Sequence, residues 1–72
     1  MSVGREIKQR RETVGMTQAE LAKRLCVSQG AVAQYELGYK LPSLAMLCRI
    51  ADVLGTTPGA ILEASTGKEA KS

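Results

Sequence analysis

Residues 17–38, "TQAELAKRLCVSQGAVAQYELG", decide the fold. Thr17 followed by Glu20 has the form of a capping box, in which the hydroxyl accepts from the backbone N–H three residues on and the carboxylate reaches back. A helix therefore starts at about Gln18, with Leu21, Ala22 and Leu25 on its inward side. Ser28 is a second N-cap candidate, opening a helix over residues 28–37 with Val32 and Tyr35 inward, and Gly38 suits the left-handed position after its end. Only Cys26, Val27 and Ser28 lie between the two. Two short helices joined by so tight a turn pack at roughly 90 to 120°, which can thrust the second helix clear of the body.

That second helix carries almost no charge. Its outward residues are Gln29, Gly30, Ala33 and Gln34. A DNA major groove about 12 Å wide admits a helix, and a glutamine amide, with one acceptor and one donor group, matches N6 and N7 of adenine. Lysine or arginine would attract phosphate anywhere, so a neutral probe favours selectivity, while flanking residues supply phosphate contacts that position without specifying. Gly30 and Ala33 let the backbone approach base edges or thymine methyls. The plainer alternative, that Gln29 and Gln34 are only solvated surface residues, stays open on composition alone.

Further out, Val3, Ile7 and Val14 recur at helical spacing in a first helix with a thin apolar face, interrupted by Arg10 and Arg11 and stopped at Gly15. After the loop "YKLPS", Ser43 can cap a helix with a stripe of Leu44, Leu47, Cys48, Ala51 and Leu54, Ile50 beside it, closed by Gly55. Thr57 and Pro58 begin a short fifth helix carrying Ile61 and Leu62. The expected organisation is one domain over residues 1–64 and a disordered polar tail over 65–72.

Seventy-two residues allow a single domain of marginal stability. With no Phe or Trp and two Tyr, the core must be aliphatic. The net charge of +3 sits in the front half: residues 1–40 hold seven Lys and Arg against four Glu, residues 41–72 three against three acids. A polyanion would meet the front half, although a basic bias also serves solubility. Cys26 and Cys48 fit no disulfide framework or metal spacing and there is no His, so buried apolar roles are expected and no cofactor. No apolar run of 18 residues and no signal-type segment occurs, so a cytoplasmic, nucleoid-associated location is expected, with no membrane partner.

The chain resembles the Cro and phage-repressor type, or XRE type, of helix-turn-helix proteins. The matching residues are Thr17, Gln18, Leu21, Ala22, Val27, Ser28, Val32, Tyr35, Glu36 and Gly38, then Pro42, Leu44, Leu47, Ile50, Ala51 and Leu54, within residues 3–63. The resemblance implies an all-α, five-helix domain that binds operator DNA, usually as a dimer, to regulate transcription, with repression expected. It implies phosphate-positioning roles for Arg11, Thr17, Gln18, Ser28, Tyr39 and Lys40, and base-edge contacts for Gln29, Gly30 and Gln34. It also implies an internal ion pair between Arg11 and Glu36, which leaves Arg11 divided between structure and phosphate. Two departures are Cys26, where the family usually has Gly, and Arg10, where many relatives carry Leu.

One recognition helix reaches only a few base pairs, so a homodimer on a roughly palindromic site is expected, joined through Thr57, Pro58, Ile61 and Leu62 with Thr56, Met46 and Val53 near them. The alternative for Ile61 and Leu62 is that they cap the monomer core. An enzyme with a small-molecule substrate is not expected, for want of His, paired carboxylates or a glycine-rich phosphate loop. The competing function is a protein-interaction module, such as the antitoxin of a toxin-antitoxin pair, on the same fold.

Overall fold

In the computed structural model, which describes the backbone of residues 2–71 and the side chains of residues 2–65, hydroxyl caps and left-handed stops divide the chain into helices. These are α1 (Val3–Thr13), α2 (Gln18–Leu25), α3 (Gln29–Leu37), α4 (Leu44–Leu54) and α5 (Pro58–Lys71), with no strand among the described residues. Every helix start is capped by a hydroxyl. Ser2, Thr17, Ser28, Ser43 and Thr57 each accept from the backbone N–H three residues on, at 3.0 to 3.1 Å. At α2 the reciprocal bond, Thr17 N–H to Glu20 Oε1 at 2.8 Å, completes the capping box.

The first four helices stop in one way as well. Gly15, Cys26, Gly38 and Gly55 adopt φ between 60° and 84°, and the N–H of the next residue bonds back five positions: Met16 to Arg11, Val27 to Ala22, Tyr39 to Gln34 and Thr56 to Ala51. Cys26, at φ 60°, is the one non-glycine residue among them. A side chain there costs about 1 kcal/mol relative to Gly, tolerable because the bonded turn on both sides fixes the conformation.

Ile7, Leu21, Leu25, Val32, Ile50 and Ile61 are fully buried, and Ala22, Tyr35, Leu47, Ala51 and Leu54 complete the core around them. Ile61 closes the core from α5, so it caps the monomer and leaves the dimer surface expected of it. The α4 stripe also needs correction. Leu44 and Cys48 are exposed and Ile50 is inside, because the buried face follows Leu47, Ile50, Ala51 and Leu54, one helical turn later than a stripe drawn from Leu44. Both cysteines are exposed, against the expectation of buried roles.

A disordered tail from residue 65 is likewise corrected at its start. Ser65 is buried, its hydroxyl donates to the Leu62 carbonyl at 2.9 Å, and α5 runs to Lys71. Lys, Glu and Ala in this stretch favour helix, which lets the turn begun at Pro58 propagate. The side chains of residues 66–72, and with them the rest of that expectation, lie outside those described. Among the described residues no single helix is long and apolar enough to cross a membrane; only α4 with residues 58–65, as a pair bent by 99°, matches that length and composition.

Candidate nucleic-acid interface

α3 is held from behind by two helices. It packs chiefly on α1 and α2, burying Val32, Tyr35 and Glu36, while Gln29, Gly30 and Gln34 are exposed and Ala33 half-buried on the opposite side. Gly4 sets how close α1 can come. A Cβ there would fall against the carbonyl oxygen of Tyr35 and 2.7 Å from that of Glu36, so only glycine lets the two backbones meet.

Glu36 gathers three elements. Arg11 on α1 donates to it from Nε at 2.6 Å and from Nη2 at 3.1 Å, a two-pronged contact, and gives Nη1 to the Met16 carbonyl at 2.7 Å. Gln18, the first residue of α2, donates from Nε2 to Glu36 Oε1 at 3.0 Å. The residues Arg11 and Glu36 are 7% and 8% exposed, so the pair lies inside the fold. The bond to Glu36 raises the Arg11 guanidinium above its ordinary pKa, against burial, which lowers it. With three of its nitrogens committed internally, Arg11 is built for structure, and its surface left for a phosphate is small.

The other expected phosphate-positioning residues lie around α3. Ser28 is its cap, and Thr17 and Gln18 open α2, where the N–H groups of Gln18 and Ala19 find no acceptor among the described residues. Such first-turn N–H groups carry the positive end of the helix dipole. After α3, the N–H groups of Tyr39 and Lys40 both return to the Gln34 carbonyl, at 3.0 and 3.3 Å, which folds the loop against the helix end and leaves both side chains exposed. A neutral helix face is thus flanked by donors and one lysine. The expected dimer residues sit apart from it, at the α4–α5 turn. Thr57 is exposed, Pro58 half-buried and Leu62 41% exposed, whereas Ile61 is at 0%.

Some features escaped sequence reasoning. Glu6 is buried, Arg10 Nε donates to it at 2.7 Å, and Arg10 Nη1 reaches Thr56 at 3.1 Å, so the arginine found in place of leucine ties α1 to the α4–α5 turn. The spacing of Glu6 and Arg10, four apart, was the available signal. Gly4 offered only its cost, a glycine inside a helix, as a hint of close approach. Leu37, Leu41 and Leu44, exposed beside Tyr39, had no signal at all. Among the described residues no group of three Cys, Asp or Glu side chains could hold a metal ion.

Comparison with known proteins agrees with this geometry. The chain is similar to the clp gene regulator ClgR from Corynebacterium glutamicum, with 29% identity, 94% of this chain and 72% of that one covered, and a TM-score of 0.88. It is similar to the DNA-binding domain of the P22 C2 repressor, with 29% identity, coverage of 86% and 82%, and a TM-score of 0.83. It also resembles part of the hydroxypropylphosphonic acid epoxidase from S. wedmorenis, with 43% identity over 82% of this chain and a TM-score of 0.73, but spans only 31% of that enzyme's chain. No curated protein matches. The helix-turn-helix family model matches residues 7–61, from the core isoleucine of α1 to that of α5. With the fold, the capped turn between α2 and α3 and this match in agreement, the chain belongs to the helix-turn-helix family.

Proposed function

We propose that this protein is a sequence-specific double-stranded DNA-binding regulator of transcription, acting as a repressor, that lays α3 in the major groove. The observation that carries the reading is the division of α3: three residues are buried behind it, while Gln29, Gly30 and Gln34 stand exposed with no charge among them. Gln29 and Gln34 read base edges, and Gly30 and Ala33 allow the approach. Thr17, Gln18, Ser28, Tyr39 and Lys40 hold the backbone. The relatives named as a gene regulator and as the DNA-binding domain of a repressor support this non-enzymatic role. Two copies related by a two-fold axis, joined through Thr57, Pro58 and Leu62, would place their reading helices in half-sites about 34 Å apart.

The second reading, a protein-docking module, draws on exposed Leu37, Tyr39, Leu41 and Leu44 and on the similarity to one part of a longer enzyme. Selection of bound duplexes from a random pool at a stated salt concentration separates the two. A recovered motif with two-fold symmetry supports the regulator. Recovery of random sequence alone refutes it.

A further inference from the structure

We propose that Glu36 is a positioning residue for DNA binding: its buried carboxylate, balanced by Arg11, fixes the Gln18 amide so that the amide's second N–H meets a DNA phosphate. The inference rests on the DNA-binding reading above and adds to it a role for a residue that no base or phosphate touches.

A carboxylate can only accept, so the atom of Gln18 facing Glu36 Oε1 at 3.0 Å is the nitrogen, not the oxygen. That nitrogen carries two hydrogens. Because the amide is planar, committing one hydrogen to Glu36 sets the direction of the other, and a side chain that would otherwise sample many rotamers is already ordered before it binds. The half-buried Gln18 is the first residue of α2, beside the N–H groups of Gln18 and Ala19, which have no acceptor among the described residues, so its remaining hydrogen joins a set of donors at the positive end of the helix.

The charge arrangement makes this workable. A bare carboxylate one amide away from a phosphate would repel it, but Arg11 donates to both oxygens of Glu36, at 2.6 and 3.1 Å, and offsets that charge. The side chain of Glu36 is 2% exposed, so it presents little negative surface to the DNA. Glu36 also lies on α3, so the same carboxylate that locks a phosphate contact on α2 belongs to the reading helix. Backbone grip and base reading are therefore registered to each other through one side chain.

The experiment uses the full chain and a duplex recovered by selection, intact and with single phosphates replaced in turn by neutral methylphosphonates. At one phosphate, neutralisation should weaken the wild type by about tenfold more than it weakens Gln18→Ala or Glu36→Gln, the scale of a hydrogen bond to a charged group, since the backbone donors there remain in all three. In a double-mutant cycle, Gln18→Ala should cost about tenfold in the wild type and less than about twofold in the Glu36→Gln background. The same loss in both backgrounds would overturn the proposal.

A measurement on the unaltered protein covers the case in which Glu36→Gln fails to fold. In free wild type, one side-chain amide proton of Gln18 should exchange slowly with water, and the other should exchange freely and shift when DNA binds. Fast exchange of both protons would overturn the inference. If no duplex is recovered at all, the DNA-binding reading falls and the inference with it; a recovered duplex with uncoupled losses sinks the inference alone.

Discussion

Three glycines occupy the second residue of a helix: Gly4 in α1, Gly30 in α3 and Gly59 in α5. Their shared position makes the intrinsic effect of an added methyl the same, so any difference in sign reports the surroundings. An alanine gains at most about 1 kcal/mol of helix propensity and unfolded-state restriction over glycine. At Gly59 a Cβ meets nothing within 4 Å, and at Gly30 only the Ser28 hydroxyl at 3.8 Å, so both substitutions should realise about 0.5 to 1 kcal/mol. At Gly4 the obstacle is backbone: the carbonyl oxygens of Tyr35 and Glu36, the latter at 2.7 Å, cannot rotate away, and α1 must lift off α3 by several tenths of an ångström or more. Overpacking of this kind costs about 1 to 3 kcal/mol, and lifting α1 also stretches the Arg11 bonds to Glu36. In a domain this small each kcal/mol moves the midpoint by about 4 to 8 °C. Thermal unfolding followed by circular dichroism should therefore put Gly4→Ala some 5 to 15 °C below the wild type and the other two a few degrees above it. A Gly4→Ala chain that melts with or above Gly59→Ala would refute the account of how α1 meets α3.

Further outcomes concern the ion pair, the turn and DNA. Glu36→Ala leaves Arg11 buried without its partner and should cost about 3 to 5 kcal/mol in chemical denaturation; an unchanged midpoint would contradict the burial of the pair. Because the folded-state pKa of Arg11 is raised, its contribution is complete at every pH below the ordinary arginine value and is lost only in strong alkali above it, so between pH 6 and 9 this arginine adds no slope to stability. Cys26→Gly should raise stability by about 0.5 to 1 kcal/mol by easing φ 60°, and a loss would mean that the side chain repays its strain through contacts. Gln29→Ala should cost about 1 to 3 kcal/mol on the selected site and relax one base-pair preference, whereas Lys40→Ala should weaken all duplexes alike and flatten the salt slope by about one unit; equal losses for Gln29→Ala on specific and random DNA would refute its role. Sedimentation with an isolated half-site tests the dimer: full affinity with one chain bound rules it out.

The front of the molecule was legible because its signals are local. Hydroxyl caps at Thr17 and Ser28, the left-handed residue at Gly38 and the inward Leu21, Ala22, Leu25, Val32 and Tyr35 are each fixed by neighbours within five positions, whereas the left-handed Cys26 was marked by resemblance alone. Arg11 and Glu36, 25 positions apart, were paired by resemblance alone, since nothing in their flanks links them. What depends on the facing surface of another element was not legible. Gly4 looks like any helix-weakening glycine until α3 is laid against it. The α4 stripe drawn from Leu44 took in an exposed leucine, because a helix so rich in apolar residues offers more than one plausible face and only packing against α2 and α5 chooses between them. Ile61 and Leu62 are adjacent and alike in composition, and only the direction in which α5 leaves its turn sends one inward at 0% exposure and the other outward at 41%.

The two sides of α3 share no residue: Val32, Tyr35 and Glu36 face inward, while Gln29, Gly30 and Gln34 face water. Surface substitutions free of such internal duties usually alter stability by less than about 0.5 kcal/mol. The outward positions are thus a vocabulary that can be rewritten without touching the grammar of the fold. A library randomised at 29 and 34 should yield chains that nearly all fold alike and differ only in what they recognise. In lineage terms, such a domain can acquire a new target by a few codon changes while the buried network around Glu36 stays as it is.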